Sequence, residues 1–137
     1  SSVLKPIKAS KEYYVKSTDE YPILFILAAL TKGTSIFKGI KDLANKESNR
    51  IAEIQKILKQ IGIKTKSSAD ELKIFGKDSI EIRKKGILVQ DLGDHRICMS
   101  SFVLAILTGV TTKIKNFEKK LILAFLSSVW LSHGLRV

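Results

Sequence analysis

The sequence predicts an α/β protein built from repeated helix-and-strand units, on the strength of three observations. The segment Leu27–Thr31 (LAALT) is echoed 77 residues later by Leu104–Thr108 (LAILT). Each copy has an aspartate upstream and a threonine-led, strand-like stretch downstream. Between the copies, apolar residues recur every three to four positions over about 45–61, which is the spacing of one face of an amphipathic helix.

Residues 22–30 predict the first helix. It is apolar on nearly all sides, so we expect it to be buried on nearly all sides. Thr18 or Asp19 can cap its N-terminus, and Pro22 is tolerated in a first turn. A Lys-Gly pair ends it, and residues 34–38 have the composition of a short strand.

The second predicted helix opens near Asn45 and ends at Ile61, before Gly62. Ile63–Lys66 and Glu71–Phe75 predict two strands joined by a polar turn. The expected solvent-facing side of the helix consists of Glu53, Gln55, Lys56, Lys59 and Gln60.

The third predicted helix starts at Asp94 and runs to Thr108, again apolar nearly all round. Residues 77–90 connect it to the preceding strand with weak strand character, and Thr111–Lys115 predicts another strand. Two helix-then-strand units, with an amphipathic helix and two strands between them, therefore define the predicted repeat.

Composition and charge narrow the class of protein. With 137 residues, 45% of them hydrophobic and 27% charged, one globular domain is expected. Cys98 is the single cysteine, which excludes an internal disulfide and fits a reducing, cytoplasmic compartment. Because the two histidines lie far apart and there is a single cysteine, we expect no metal site. No cofactor is expected either. The longest apolar runs, 21–30 and 121–131, are shorter than the roughly 17–25 residues of a spanning helix, so no membrane partner is expected.

The net charge of +11 has three interpretations: a nucleic-acid surface, a site for anionic small molecules, or a lysine-rich solvated surface. The lysines are scattered along the chain without interleaved aromatic residues, which disfavours nucleic acid as a partner.

Charged residues stand at the predicted helix starts, in the segments 19–20, 46–50 and 94–96. Cations at a helix N-terminus oppose the helix dipole, which is understandable if an anion docks there. In a helix, Lys46 and Glu47 would share a face with Arg50. Taken singly, these residues are better explained as a surface ion-pair ladder or as simple helix caps than as an anion site.

Taken together and in order, the three segments resemble signatures of the EPSP synthase family. They read DEYP at 19–22, KESNR at 46–50 and DHRICM at 94–99. The resemblance runs from about Ile7 to Glu118 and corresponds to most of the last third of a full-length member.

The resemblance implies two similar domains made of repeated βαβαββ units, an inside-out α/β barrel with helices inside and sheets outside. Residues 1–118 would be part of the C-terminal domain, so the second domain is partial and the N-terminal domain is a missing partner. Residues 119–137 lack the family's closing motif and read as a divergent tail, which a frameshift would explain. The chain begins with two serines, which we interpret as part of a longer protein.

The implied reaction transfers the enolpyruvyl group of phosphoenolpyruvate to the 5-hydroxyl of shikimate 3-phosphate. By motif position, Asp19 contacts the shikimate hydroxyls and deprotonates the attacking one, although Lys46 is an alternative base. Lys46 also contacts the shikimate phosphate side, and Glu47 is the acid/base at the phosphoenolpyruvate methylene.

The same resemblance assigns anion binding to Arg50 and Arg96, with His95 supporting the site. Two departures are noted: Asn49 stands where the family usually has Asp, and Cys98 replaces a small residue. Because the cations of the other domain are absent, we expect the fragment to be inactive alone.

Two alternatives remain open at this point. One is a non-catalytic basic domain that binds nucleic acid. The other is the sister enolpyruvyl transferase that acts on UDP-N-acetylglucosamine.

Overall fold

The computed structural model describes residues 5–46, 48–80, 86–90, 93–109 and 112–115. In chain order the elements are β1 (Lys8–Ala9), α1 (Lys11–Ser17), α2 (Tyr21–Ala29), β2 (Gly33–Lys38), α3 (Arg50–Gln60), β3 (Lys64–Ser67), β4 (Glu71–Gly76), β5 (Ile87–Gln90), α4 (His95–Thr108) and β6 (Thr112–Lys115). Short 3-10 turns at Thr18–Glu20 and Lys41–Asn45 precede α2 and α3. The predicted mixed α/β class is confirmed.

The described strands form two sheets. The larger sheet has the order β1-β2-β4-β3, with β1 parallel to β2 and the other neighbours antiparallel. Helices α1 and α2 make the crossover between β1 and β2, while β3 and β4 form the predicted hairpin. The smaller sheet pairs β5 with β6 in parallel, with α4 between them. The two sequence repeats therefore coincide with two strand-helix-strand crossovers.

Helix α2 lies at the centre of the core and contacts α3, α4 and β4. Tyr21 and Phe25 are fully buried, and both rings meet Phe37 of β2 edge to face, with centroids 5.5 and 4.7 Å away. Leu27 is 37% exposed, but the other residues of the helix are buried or half-buried. The prediction that this helix is buried on nearly all sides is therefore confirmed.

Helix α4 differs from this expectation. Ile106 and Leu107 are 68% and 53% exposed, so its C-terminal half is not buried all round in the described part of the chain. Its buried side runs from Ile97 to Leu104 and faces α2. When a helix is apolar on all sides, its sequence does not show which side packs against another element.

The predicted caps of the first helix are wrong. Thr18 donates its hydroxyl to the Tyr14 carbonyl at 2.8 Å instead, and Asp19 makes no cap bond to α2. The chain is already helical before α2, so the polar stretch at 16–19 is no isolated helix start.

Two expectations about α3 are also wrong. It begins at Arg50 rather than near Asn45, because the Asn49 side chain accepts the Ala52 N–H at 3.1 Å and caps it there. Glu53 is 8% exposed and accepts a bond from Lys56 at 3.0 Å, so it is not on a solvent-facing side. The reason is that α3 contacts α2, α4, β3 and β5 and buries a wider face than its apolar stripe suggests.

The hydroxyl group of Tyr21 is a defect in the core. It is buried without a hydrogen-bond partner among the residues that the structure describes, and burial raises the pKa of Tyr21 to about 12. We predict that Tyr21→Phe raises the free energy of unfolding by about 1 kcal/mol, because an unsatisfied buried polar group is removed. Tyr13→Phe is the matched control, since Tyr13 is half exposed, and it should change little. Urea denaturation of both variants measures this; destabilisation by Tyr21→Phe would contradict the prediction.

Candidate functional site

Asp94 is the residue at which distant parts of the chain meet. Its side chain is 2% exposed. Oδ1 accepts the backbone N–H groups of Arg96 and Ile97 at 3.1 and 3.4 Å and thereby caps α4. Oδ2 accepts the Ser48 hydroxyl at 2.7 Å and Nε of Arg50 at 3.0 Å. One carboxylate therefore both starts α4 and fixes the chain at the start of α3.

Arg50, the first residue of α3, is 3% exposed and lies between two carboxylates. Besides the bond to Asp94, its Nη1 is 3.7 Å from Oδ1 of Asp19. A buried guanidinium of this kind is stable only when its charge is compensated, so Asp94 and Arg50 depend on each other.

Asp19 joins the first segment to the other two. It lies in the 3-10 turn just before α2, with its side chain 65% exposed. Its Oδ2 is 4.0 Å from Nη2 of Arg96, which is 37% exposed. Because water screens these pairs, they add little stability. An exposed carboxylate between two guanidinium groups is available to a polar ligand.

These contacts bring the starts of α2, α3 and α4 into one region. Each helix N-terminus carries free N–H groups and the positive end of the helix dipole. Arg50 and Arg96 add two positive charges, Asp19 adds an exposed carboxylate, and the buried Asp94 carboxylate balances the charge of Arg50. The arrangement can hold an anion while offering a carboxylate to a hydroxyl group.

The charge state of Asp94 is set by its neighbours. Burial alone would raise its pKa, but hydrogen bonds from Arg50 and Ser48, together with the Arg50 charge, outweigh it and hold the pKa below its ordinary value of 3.8. Asp94 is therefore ionised at neutral pH, as the buried pair requires.

The remaining predicted site residues are Lys46, Glu47 and His95. Lys46 is exposed in extended backbone before α3, and His95 is the exposed first residue of α4. Glu47 lies outside the described residues. The prediction that Lys46 and Arg50 share a helix face is wrong, because the helix begins only at Arg50.

Sequence reasoning missed Ser48 and underestimated Asp94. The sequence pattern indicates Asp94 only as a possible helix cap, which accounts for one of its two oxygens. No local signal points to the bond between Ser48 and Asp94, 46 residues apart. The departure at Asn49 also has a structural role, since its amide oxygen caps α3.

Two negative findings concern only the described part of the chain. No group of three or more His, Cys, Asp or Glu side chains is placed to hold a metal ion. None of the helices there has the length and apolar character needed to cross a membrane.

Comparison with known proteins gives consistent matches. The family model described as EPSP synthase (3-phosphoshikimate 1-carboxyvinyltransferase) matches residues 3–120. The 3-phosphoshikimate 1-carboxyvinyltransferase of Bacillus pumilus is 34% identical over 118 residues, which is 86% of this chain and 27% of that protein. The Aquifex aeolicus protein of the same name is 39% identical over 103 residues, or 75% of this chain and 23% of that one.

Solved structures agree with these matches. A structure of EPSP synthase from Acinetobacter baumannii superposes with a TM-score of 0.73 at 30% identity, covering 82% of this chain and 26% of that chain. The chain thus spans about a quarter of the length of the relatives it matches.

We predict that Asp94→Asn lowers the free energy of unfolding by about 3 kcal/mol at neutral pH. Asparagine can still cap α4, but it leaves the buried Arg50 without its charged partner. Because folding lowers the pKa of Asp94, the wild-type advantage should be full above pH 3.8 and shrink as pH falls further. Asp78→Asn, at an exposed position, is the control. Urea titrations across pH measure this; a variant with unchanged stability, or a difference that does not shrink in acid, would contradict it.

Proposed function

This chain belongs to the EPSP synthase family, and we propose that it supplies one side of the active site for enolpyruvyl transfer from phosphoenolpyruvate to shikimate 3-phosphate. The observation that supports this most is the meeting of Asp19, Arg50 and Asp94, with Arg96 beside them. The three family segments that contain these residues are far apart in sequence, and the structure brings them into one charged cluster.

The attack step requires a base and an acid. Asp19 is the exposed carboxylate that would accept the proton of the 5-hydroxyl as its oxygen bonds to C2 of phosphoenolpyruvate. Lys46, exposed four positions before Arg50, would be the alternative base and a contact for the shikimate phosphate. Glu47 would deliver a proton to the methylene carbon, giving a tetrahedral ketal. It would then remove a proton from that carbon as phosphate leaves.

Anion binding falls to the two arginines. Arg50 is held rigidly by Asp94, so its position would not need to be organised when substrate binds. Arg96 is more exposed and would grip the carboxylate or phosphate of phosphoenolpyruvate in a forked geometry. His95, the neighbouring first residue of α4, would support this contact.

The whole enzyme needs more chain than is present here. The order β1-α-β2-α3-β3-β4 corresponds to one βαβαββ unit, and β5-α4-β6 begins another. This supports our proposal that the complete protein is an inside-out α/β barrel of two domains. Residues 1–118 would be part of its C-terminal domain and residues 119–137 a divergent tail, which lies outside the described residues. Its place in aromatic biosynthesis makes a cytoplasmic location our expectation.

We predict that the isolated chain shows no turnover with both substrates. Half of the cations expected around the two phosphorylated substrates belong to the missing domain. A phosphate-release assay tests this, and measurable catalysis would contradict the fragment interpretation.

We predict further that a chimaera regains activity when residues 3–120 replace the matching segment of the Bacillus subtilis relative, which is 31% identical over 118 residues. Within it, Glu47→Gln should reduce kcat by roughly 100-fold or more, because a proton-transfer group is lost. Glu12→Gln, at an exposed position of α1, is the control and should change kcat little.

The outcomes of the chimaera experiment separate the alternatives. Equal losses for Glu47→Gln and Glu12→Gln would contradict the assigned site. Phosphate release with UDP-N-acetylglucosamine but not with shikimate 3-phosphate would favour the sister transferase. A folded chimaera with neither activity would overturn the proposed function.

A further inference from the structure

One face of the four-stranded sheet carries a concentration of lysines. Side chains alternate along each strand, and Phe37, Leu72 and Ile74 are directed into the core. The strand register places five lysines on the opposite side, here named the lysine face: Lys8, Lys38, Lys64, Lys66 and Lys73. Residues that lie 58 and 65 positions from Lys8 in the sequence thus become neighbours.

The charges on this face are poorly balanced. Lys66 lies directly opposite Lys73 on the adjacent strand, an arrangement that destabilises a sheet. The carboxylate on this face is Glu71, 3.8 Å from Lys73. Lysines on the edge strands β1 and β3 can also prevent edge-to-edge association. That explanation does not apply to Lys38 and Lys73, which stand on the interior strands β2 and β4.

The expectation that no aromatic residue accompanies the lysines does not hold on this face, because the strand register places an aromatic ring among them. Phe75 is 39% exposed and is paired in register with Thr34 on one side and Lys64 on the other. It stacks on none of the aromatic rings of the described core, which surround Tyr21 instead. The flat side of the Phe75 ring is therefore available to a flat apolar group.

Two basic grooves border the lysine face. Beside β1, a groove of about 250 Å³ lies between Lys8 and Lys38, with Ile36 at its base. Beside β3, a groove of about 730 Å³ between the sheet and α3 is lined in part by Lys56, Lys59 and Lys64. Positive charge thus extends across the sheet from one edge to the other.

We propose that the lysine face binds single-stranded nucleic acid, with phosphates along the lysines and a base stacked on Phe75. Charge complementarity argues for a polyanion. The exposed ring within the positive field favours unpaired bases over an acidic protein or an anionic membrane, because stacking on an aromatic side chain requires a free base. The face is directed away from α2 and α3, so this function is separate from enolpyruvyl transfer.

The test uses the full chain and a fluorescently labelled single-stranded DNA of mixed sequence, followed by anisotropy at several salt concentrations. Binding should weaken as salt rises, with a logarithmic slope of about 0.7 for each phosphate neutralised. Lys66→Glu should weaken binding and reduce that slope. The substitution also places a carboxylate opposite Lys73, so the fold should be retained, which a melting curve checks.

Lys113→Glu is the matched control, because it makes the same charge change at an exposed position of β6 in the other sheet. It should weaken binding much less than Lys66→Glu. Phe75→Leu should lower affinity about tenfold while leaving the salt slope unchanged, because stacking is lost and charge is kept.

Other results would overturn the proposal. These are absence of binding at low salt, equal losses in Lys66→Glu and Lys113→Glu, or no effect of Phe75→Leu. Duplex DNA bound as tightly as the single strand would exclude base stacking. Binding to vesicles of anionic lipid without binding to the oligonucleotide would assign the lysine face to a membrane surface instead.

Discussion

The buried ion pair between Asp94 and Arg50 is the constraint on which the candidate site depends. Taking two charges out of water is costly, and the cost is met here by further hydrogen bonds to Asp94 from Ser48 and from the first turn of α4. Ser48 lies just before α3, and the two backbone N–H groups lie in the first turn of α4. The two helices therefore cannot shift independently without leaving a buried charge unpaired. The arginine side chain is thereby held in place before any ligand arrives.

The site lies where three helices begin. Asp19, just before α2, is 4.0 Å from Arg96 in the first turn of α4, so these two helices begin close together. Helix α2 packs against both α3 and α4, which sets their spacing. Gln60 at the end of α3 bonds to both backbone groups of Leu88 and ties the smaller sheet to the first unit. Positive dipole ends and arginines are therefore concentrated at one end of the helices.

The positively charged side chains lie in two different environments. Near the helix starts, arginines are paired with carboxylates and partly or fully buried, which gives fixed geometry suited to small anions. On the lysine face, four of the five lysines are exposed and one aromatic ring lies among them, which suits an extended polyanion. The same net charge of +11 therefore has no single explanation.

Local sequence patterns predict α2, α3, α4 and most of the strands, whereas α1 and β1 have no counterpart among the predicted elements. The apolar run of α2, the repeat ending in Leu104–Thr108 and the family segments at 19–22, 46–50 and 94–99 lead to the α/β class and to most of the candidate residues. These signals can be read from the sequence because helix periodicity, caps and turns depend on residues only a few positions apart. The burial of Glu53, the contacts of the second Asp94 oxygen with Ser48 and Arg50, and the gathering of scattered lysines on one sheet face follow from the three-dimensional structure alone. Each of these depends on contacts between residues far apart in the chain, which no short-range pattern encodes.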